Sequence, residues 1–150
     1  MANVHDVAAY VVGHFGSSIS TMKLQKLCYI AQGWSLALRQ TPLFEDDFQA
    51  WANGPVCWTL FDAHRGRYNV DAWVKGNAGA LDRKELIILD AVLRNYEALT
   101  GRQLSALTHK PGTPWTVTRN GLPEGSRSTE IISKELIRAH FVAALDVKQA

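Results

Sequence analysis

Apolar positions recur at helical spacing along most of this chain, and the gaps between them mark where helices stop. Val4, Val7, Ala8, Val11 and Phe15 share one face of a predicted helix over Val4–Phe15, which Gly16, Ser17 and Ser18 break. Ser20 or Thr21 is placed to cap a second helix running to about Arg39. Its stripe of Leu24, Leu27, Cys28, Ala31, Trp34 and Leu38 is widened by Ile30 and Ala37. Much of the circumference is therefore apolar, which predicts a central helix. After the acidic triplet Glu45, Asp46 and Asp47 the period becomes two. Phe48 and Ala50 alternate with Gln49 and Trp51, a short strand closed by Asn53 and Gly54. Pro55 suits the first turn of a helix reaching about Arg65, because its missing N–H would have no partner there. "YNVDAWV" is a second strand, expected to pair with the first.

Asp82 with Glu85 makes a capping-box start to a helix in which Leu86, Leu89, Leu93 and Tyr96 repeat, ending near Gly101. A short helix from Arg102 to His109 is stopped by "KPGTPW", and the Gly, Ser and Pro of residues 120–129 read as a loop. Ser133 caps a last helix expected to bury Leu136, Ile137, His140 or Phe141, and Leu145. The pattern predicts a mainly α (α+β) fold. It is a compact helical bundle around a central helix at 21–39 with a small two-stranded β element, in one domain over 1–150.

The central helix carries a polar line that this pattern leaves unexplained. Gln25, Tyr29 and Gln32 fall at i, i+4 and i+7, on one face. They are either a working site or the hydrogen-bonding side of a core helix. Buried amides must be bonded, so they are expected to satisfy backbone groups of the β element and to tie the helix to "WANGPV". Gly33 fits that reading: a mid-helix glycine costs roughly 1 kcal/mol against Ala and implies close backbone approach.

Composition narrows the function classes. Hydrophobic residues make up 47% and charged residues 20% of 150 residues, which is globular and not disordered. Lys plus Arg number 16 against 14 acids, a formal charge of +2 that does not point to nucleic acid as the partner. The basic pairs Arg65/Arg67 and Arg83/Lys84 read as solvated surface. One weak bias exists between Arg102 and Arg138, where Arg102, Lys110, Arg119, Arg127, Lys134 and Arg138 face Glu124, Glu130 and Glu135. It supports one alternative function, a DNA-binding regulator of its own operon. No apolar run approaches the roughly 20 residues that span a bilayer. Cys28 and Cys57 sit in apolar surroundings without C-x-x-C or a secretory leader, as buried thiols of a cytoplasmic protein would.

No catalytic signature emerges. The five histidines (His5, His14, His64, His109, His140) form no H-x-x-x-H or H-E-x-x-H pair, so no metal site or other cofactor is expected. Asp46 and Asp47 are neighbours on an extended segment and point apart, which suits a solvated loop better than a shared proton. "GHFGSS" lacks the lysine of a phosphate loop, and no G-x-S-x-G occurs. A second alternative is a small enzyme with a site near His109, Cys57 and Trp115. Trp51, Trp58, Trp73 and Trp115 lie at element edges, each reading singly as core; with Pro55 and Pro114 they are placed to frame an apolar groove.

Two linked stretches, "MKLQKLCYIAQGWSLALRQTPLFEDDFQAWANGPVCWTLFDAHR" and "LSALTHKPGTPW", carry a resemblance. They resemble the signature of the Panacea domain family of SocA-like antitoxins and phage-associated GepA-like proteins. The matching positions are Lys23, Leu24, Gln25, Lys26, Leu27, Tyr29, Gln32, Leu36, Pro42, Leu43, Phe44, Ala50, Trp51, Gly54, Pro55 and Val56, then Leu104, Ser105, Thr108, His109, Pro114 and Trp115. The likeness covers about 20–142. It implies a non-enzymatic antitoxin of a toxin–antitoxin system that binds a cognate toxin protein, and, in at least one branch, an adaptor delivering the toxin to a cytosolic protease. The residues ahead of the signature are expected to leave no room for the DNA-binding domain that some members carry. The candidate partner-binding edge is Trp51, Asn53, Trp58, His109 and Trp115.

Overall fold

A computed structural model describes residues 2–148. Its elements in chain order are α1 (Val4–Phe15), β1 (Ile19–Ser20), α2 (Thr21–Arg39), β2 (Phe48–Trp51), β3 (Gly54–Val56), α3 (Trp58–His64), β4 (Asn69–Val70), α4 (Arg83–Tyr96), α5 (Gly101–Thr108), α6 (Pro114–Arg119), β5 (Ile131–Ile132) and α7 (Lys134–Ala144). The mainly α class is borne out. In α2 every residue from Leu24 to Ala37 is buried, because α1, α4, α5 and α7 all pack against it. Leu38 is the exception to the predicted stripe: it is 48% exposed, beyond the reach of those neighbours.

Side-chain caps start the helices where the sequence placed them. Ser20 accepts from Lys23 N, Asp82 and Glu85 close a reciprocal box, and Ser133 accepts from Leu136 N. The helix after Asp82 stops at Tyr96, and Thr100 then caps α5. Helix α6 was not foreseen. Thr113 caps it and Pro114 occupies its first turn, so residues that stop α5 also start the next helix. Along α7 the buried residues are Ile137 and Phe141; Leu136 and His140 are half-buried and Leu145 lies past its end.

The β structure differs from the expected pairing. Strand β2 is central in an antiparallel sheet of order β3-β2-β5, with Ala50 opposite Pro55 and Phe48 opposite Ile132. Within "YNVDAWV" only Asn69–Val70 is strand, and it pairs with Ile19–Ser20. Both edges of β2 are already occupied, whereas Tyr68 O accepts from Thr21 N at 2.9 Å and anchors that segment at the foot of α2. Pro55 lies in β3 and not in a helix; α3 begins only after Cys57. Proline is tolerated on this edge strand because Ala50 directs its N–H away from Pro55, to Glu130 O at 2.8 Å. Among the described residues no helix is long and apolar enough to cross a membrane.

Candidate partner-binding site

The polar line of α2 resolves into three different contacts. Gln25 holds the backbone of one residue by both its groups: its Nε2 donates to Cys57 O at 3.1 Å and its Oε1 accepts from Cys57 N at 2.9 Å. Gln32 does the same for the "PLF" turn, accepting from Leu43 N at 2.8 Å and donating to Phe44 O at 2.9 Å. It therefore does not reach "WANGPV". Tyr29 contributes its ring, set edge-on against Phe48 and Phe141 at 5.2 and 6.0 Å, and its hydroxyl has no hydrogen-bond partner among the described residues. Two glutamines thus hold backbone, as buried amides should. The close approach at Gly33 is by a ring and not by backbone: an added Cβ would lie 2.2 Å from Phe141 Cδ2.

The tie to "WANGPV" is made by Lys26. This side chain is 2% exposed, and its Nζ donates to Pro55 O at 3.0 Å. Room for it depends on Gly54, whose φ is +121° and whose Cβ, were one present, would stand 2.7 Å from Lys26 Cε. Burial pushes the Lys26 ammonium down to about 7. Burial likewise lowers His64, with the neighbouring Lys26 charge adding to the effect; His64 Nε2 lies 3.1 Å from Gln25 Nε2.

Above this polar floor sits an aromatic face. Trp51 is half-buried, with its ring centroid 4.8 Å from Phe61 and 6.1 Å from Trp58; Trp58 is 46% exposed. The Arg65 guanidinium covers Trp58 at 5.1 Å and Phe61 at 5.5 Å. A cavity of about 300 Å³ opens beside these rings, with Gln25, Lys26, Trp51, Asn53, Phe61 and His64 among its walls. A second, of about 560 Å³, lies across the hairpin tip and includes Asn53, Arg102, His109 and Lys110.

The five predicted edge residues separate into two roles. Trp51, Asn53 and Trp58 line the surface, whereas Trp115 is buried and donates its Nε1–H to Trp51 O at 2.7 Å. His109 packs on Trp115 at 3.9 Å between centroids, and its Nδ1 is 2.6 Å from Ser105 O. Ser105 Oγ in turn donates to Asn53 O at 2.8 Å. Thr108 is buried and Pro114 starts α6, so the "THKPGTPW" turn braces the hairpin from behind. Phe61 and His64 were missed from sequence; their only signal was i, i+3 spacing with Trp58.

Among the described residues no hydrogen bond or ring contact joins His109 to Cys57. Cys57 is buried with its thiol pushed up to about 11 by burial, and Cys28 is raised for the same reason. Asp46 accepts from Thr59 Oγ1 at 2.7 Å, while Asp47 pairs with Lys134 at 2.8 Å, so the two carboxylates go to different elements. Of the six basic residues between Arg102 and Arg138, Arg119 is buried and donates to Ala50 O, Pro123 O and Ser126 O. Lys134 is committed to Glu45 O and Asp47. The basic bias there is partly scaffold.

An α2 hub whose amides hold backbone, under an aromatic hairpin face, is the arrangement into which the motif residues fall. The family model described as "Antitoxin SocA-like, Panacea domain" matches residues 24–116, and this chain belongs to that family. Over 143 residues it is 31% identical to the antitoxin SocA of Caulobacter vibrioides (strain NA1000 / CB15N), covering 83% of this chain and 75% of that protein. No solved structure matches it.

Proposed function

We propose that this protein is an antitoxin that neutralises a cognate toxin by direct binding, without catalysis, and that the hairpin face of Trp51, Asn53 and Trp58 makes the contact. Family membership supports the antitoxin role. The observation that supports this face is Trp58, a tryptophan left 46% exposed beside Trp51 and Phe61. Such aromatic surface marks binding faces. A domain of this size readily offers the roughly 800 Å² per partner of an ordinary interface. His109 and Trp115 act as supports in this reading, and Cys57, buried and far from a thiolate at neutral pH, has no catalytic part.

Co-expression with the product of the neighbouring gene tests the proposal. Growth should be rescued and the two proteins should co-purify. Trp58→Ala should weaken the complex by about 1–2 kcal/mol or more; because it also gives up packing on Trp51 and Phe61, affinities are compared well below the Tm of both proteins, which a melting curve of each fixes. No rescue and no complex with wild-type protein would refute the antitoxin reading. A complex indifferent to Trp58→Ala and Asn53→Ala would refute the face. Loss of toxin on co-expression that depends on a cytosolic protease would add the adaptor step to the binding step.

A further inference from the structure

Lys26 is the buried charge that the scaffold leaves incompletely used. An ammonium has three protons to donate, and among the described residues only Pro55 O accepts one from Lys26. None of the ion pairs among those residues involves it. Holding a cation in the interior with one neutral acceptor is costly, and the hairpin is shaped to allow it: Gly54 has a left-handed φ and no room for a Cβ beside Lys26 Cε and Nζ. A methionine would fill the same space at less cost. The chain keeps a titratable amine instead, which an adjoining carboxylate would hold as the ammonium, in the wall of a cavity that opens on the aromatic face.

The surroundings state which charge would complete it. The cavities that meet at the hairpin tip are lined by Lys26, Arg102, Lys110 and Arg127 against a single acid, Glu124, while the whole chain carries 16 basic residues against 14 acids. A negative partner surface is complementary to that rim. A cavity of about 300 Å³ walled by Trp51 and Phe61 has room for a carboxylate on a methylene stem, with the rings to cover the stem. We propose that this cavity receives an Asp or Glu side chain of the bound protein, which forms a buried ion pair with Lys26. The identity of that protein as a toxin rests on the antitoxin reading; the carboxylate site does not.

The test has two arms. Purified protein is titrated with N-acetyl-glutamate N-methylamide, with its glutamine counterpart, and with a short oligouridine, while the Trp51 indole and His64 ring resonances are followed by NMR. The blocked glutamate should shift them at millimolar concentration and the blocked glutamine should not; Lys26→Met should abolish the response without lowering Tm. Equal shifts from both compounds, or a response retained in Lys26→Met, would overturn the site, and tighter binding of the RNA would reassign it to nucleic acid. The contrast between the two blocked amino acids needs no variant, so it stands even if Lys26→Met folds poorly. In the second arm, Lys26→Met should weaken the complex with the neighbouring gene's product about 30-fold or more. Unchanged affinity would overturn the ion pair and leave the antitoxin reading intact. Wild-type protein that takes the blocked glutamate but ignores that product would do the reverse.

Discussion

Gly33 and Phe141 make the sharpest test of how the fold is packed. Gly33 lies inside α2, where alanine is intrinsically better by about 1 kcal/mol. An added Cβ, however, would sit 2.2, 2.3 and 2.8 Å from Cδ2, Cε2 and Cγ of Phe141, distances at which the ring has to move. That ring is 6% exposed and stands against Tyr29, so moving it toward the cavity the two rings line gives up packing on both α2 and α7. Forced overpacking costs about 1–3 kcal/mol, and contacts as short as 2.2 Å put it in the upper half of that range. The clash outweighs the propensity gain, and Gly33→Ala should lose about 1–2 kcal/mol net, lowering Tm by roughly 3–8 °C. Phe141→Ala alone should cost about 3–5 kcal/mol, but in that background the clash is gone and Gly33→Ala should stabilise by about 1 kcal/mol. The sign reverses, a coupling of about 2–3 kcal/mol in a double-mutant cycle measured by urea unfolding. Gly33→Ala that is neutral or stabilising in wild type, or additive with Phe141→Ala, would refute the argument.

Three other outcomes follow from the site. Gln32→Ala strands Leu43 N and Phe44 O in the interior and should cost roughly 3–5 kcal/mol in urea unfolding; a loss below about 1 kcal/mol would contradict the bonding described. The Lys26 ammonium titrates near 7 when folded against 10.5 when unfolded. From pH 7 to about 8.5 the unfolded chain therefore holds the extra proton, and stability should rise with pH by up to about 1.4 kcal/mol per unit; above that the two buried thiols, raised from 9.0, pull the other way, and below pH 7 the Lys26 penalty is constant and adds no slope. Lys26→Met should remove that slope, while the lowered His64 acts only below 6.5, in a separate window; a persisting slope above pH 7 would rule out Lys26 as its source. Cys28 and Cys57, buried with raised thiol pKa values, should resist alkylation in the native protein and both react in denaturant, so rapid native labelling of either would place it wrongly here.

Helices α1, α2, α4, α5 and α7 were legible because each is long enough to show a period and begins on a side chain that can cap it; α6, of six residues, and the uncapped start of α3 were not. Of the strands only β2 was legible, by the alternation of Phe48 and Ala50 with Gln49 and Trp51. The others are segments of two or three residues with no internal period; Val70 pairs with Ile19 and Ile132 with Phe48, and their partners are set by what α2 and the hairpin leave open. Pro55 was ambiguous by its own chemistry: a residue without an N–H serves at the first turn of a helix or on an edge strand equally well. What decides it is its carbonyl, taken by Lys26 from a distant helix. Pro114 is the mirror case, read as a stop for α5 when it is also the start of α6.

The same distinction separates scaffold from candidate site. Polar residues on an apolar helix invite a functional reading, but Gln25 and Gln32 were expected to hold backbone and do so: the oxygen and nitrogen of each amide meet backbone in the interior. A lysine in a helix is ordinarily at the surface, and Lys26 is not. Its burial depends on Gly54 closing over it, a relation between two distant positions that no local pattern carries. Residue type therefore misleads in both directions here. The useful quantity is what a side chain has left after the fold is complete: little for the glutamines, whose amides are buried against backbone, a half-exposed ring for Trp58, and two ammonium protons for Lys26 without an acceptor among the described residues. A binding face built on such remainders predicts that variants there separate affinity from stability, which variants of the glutamines cannot do.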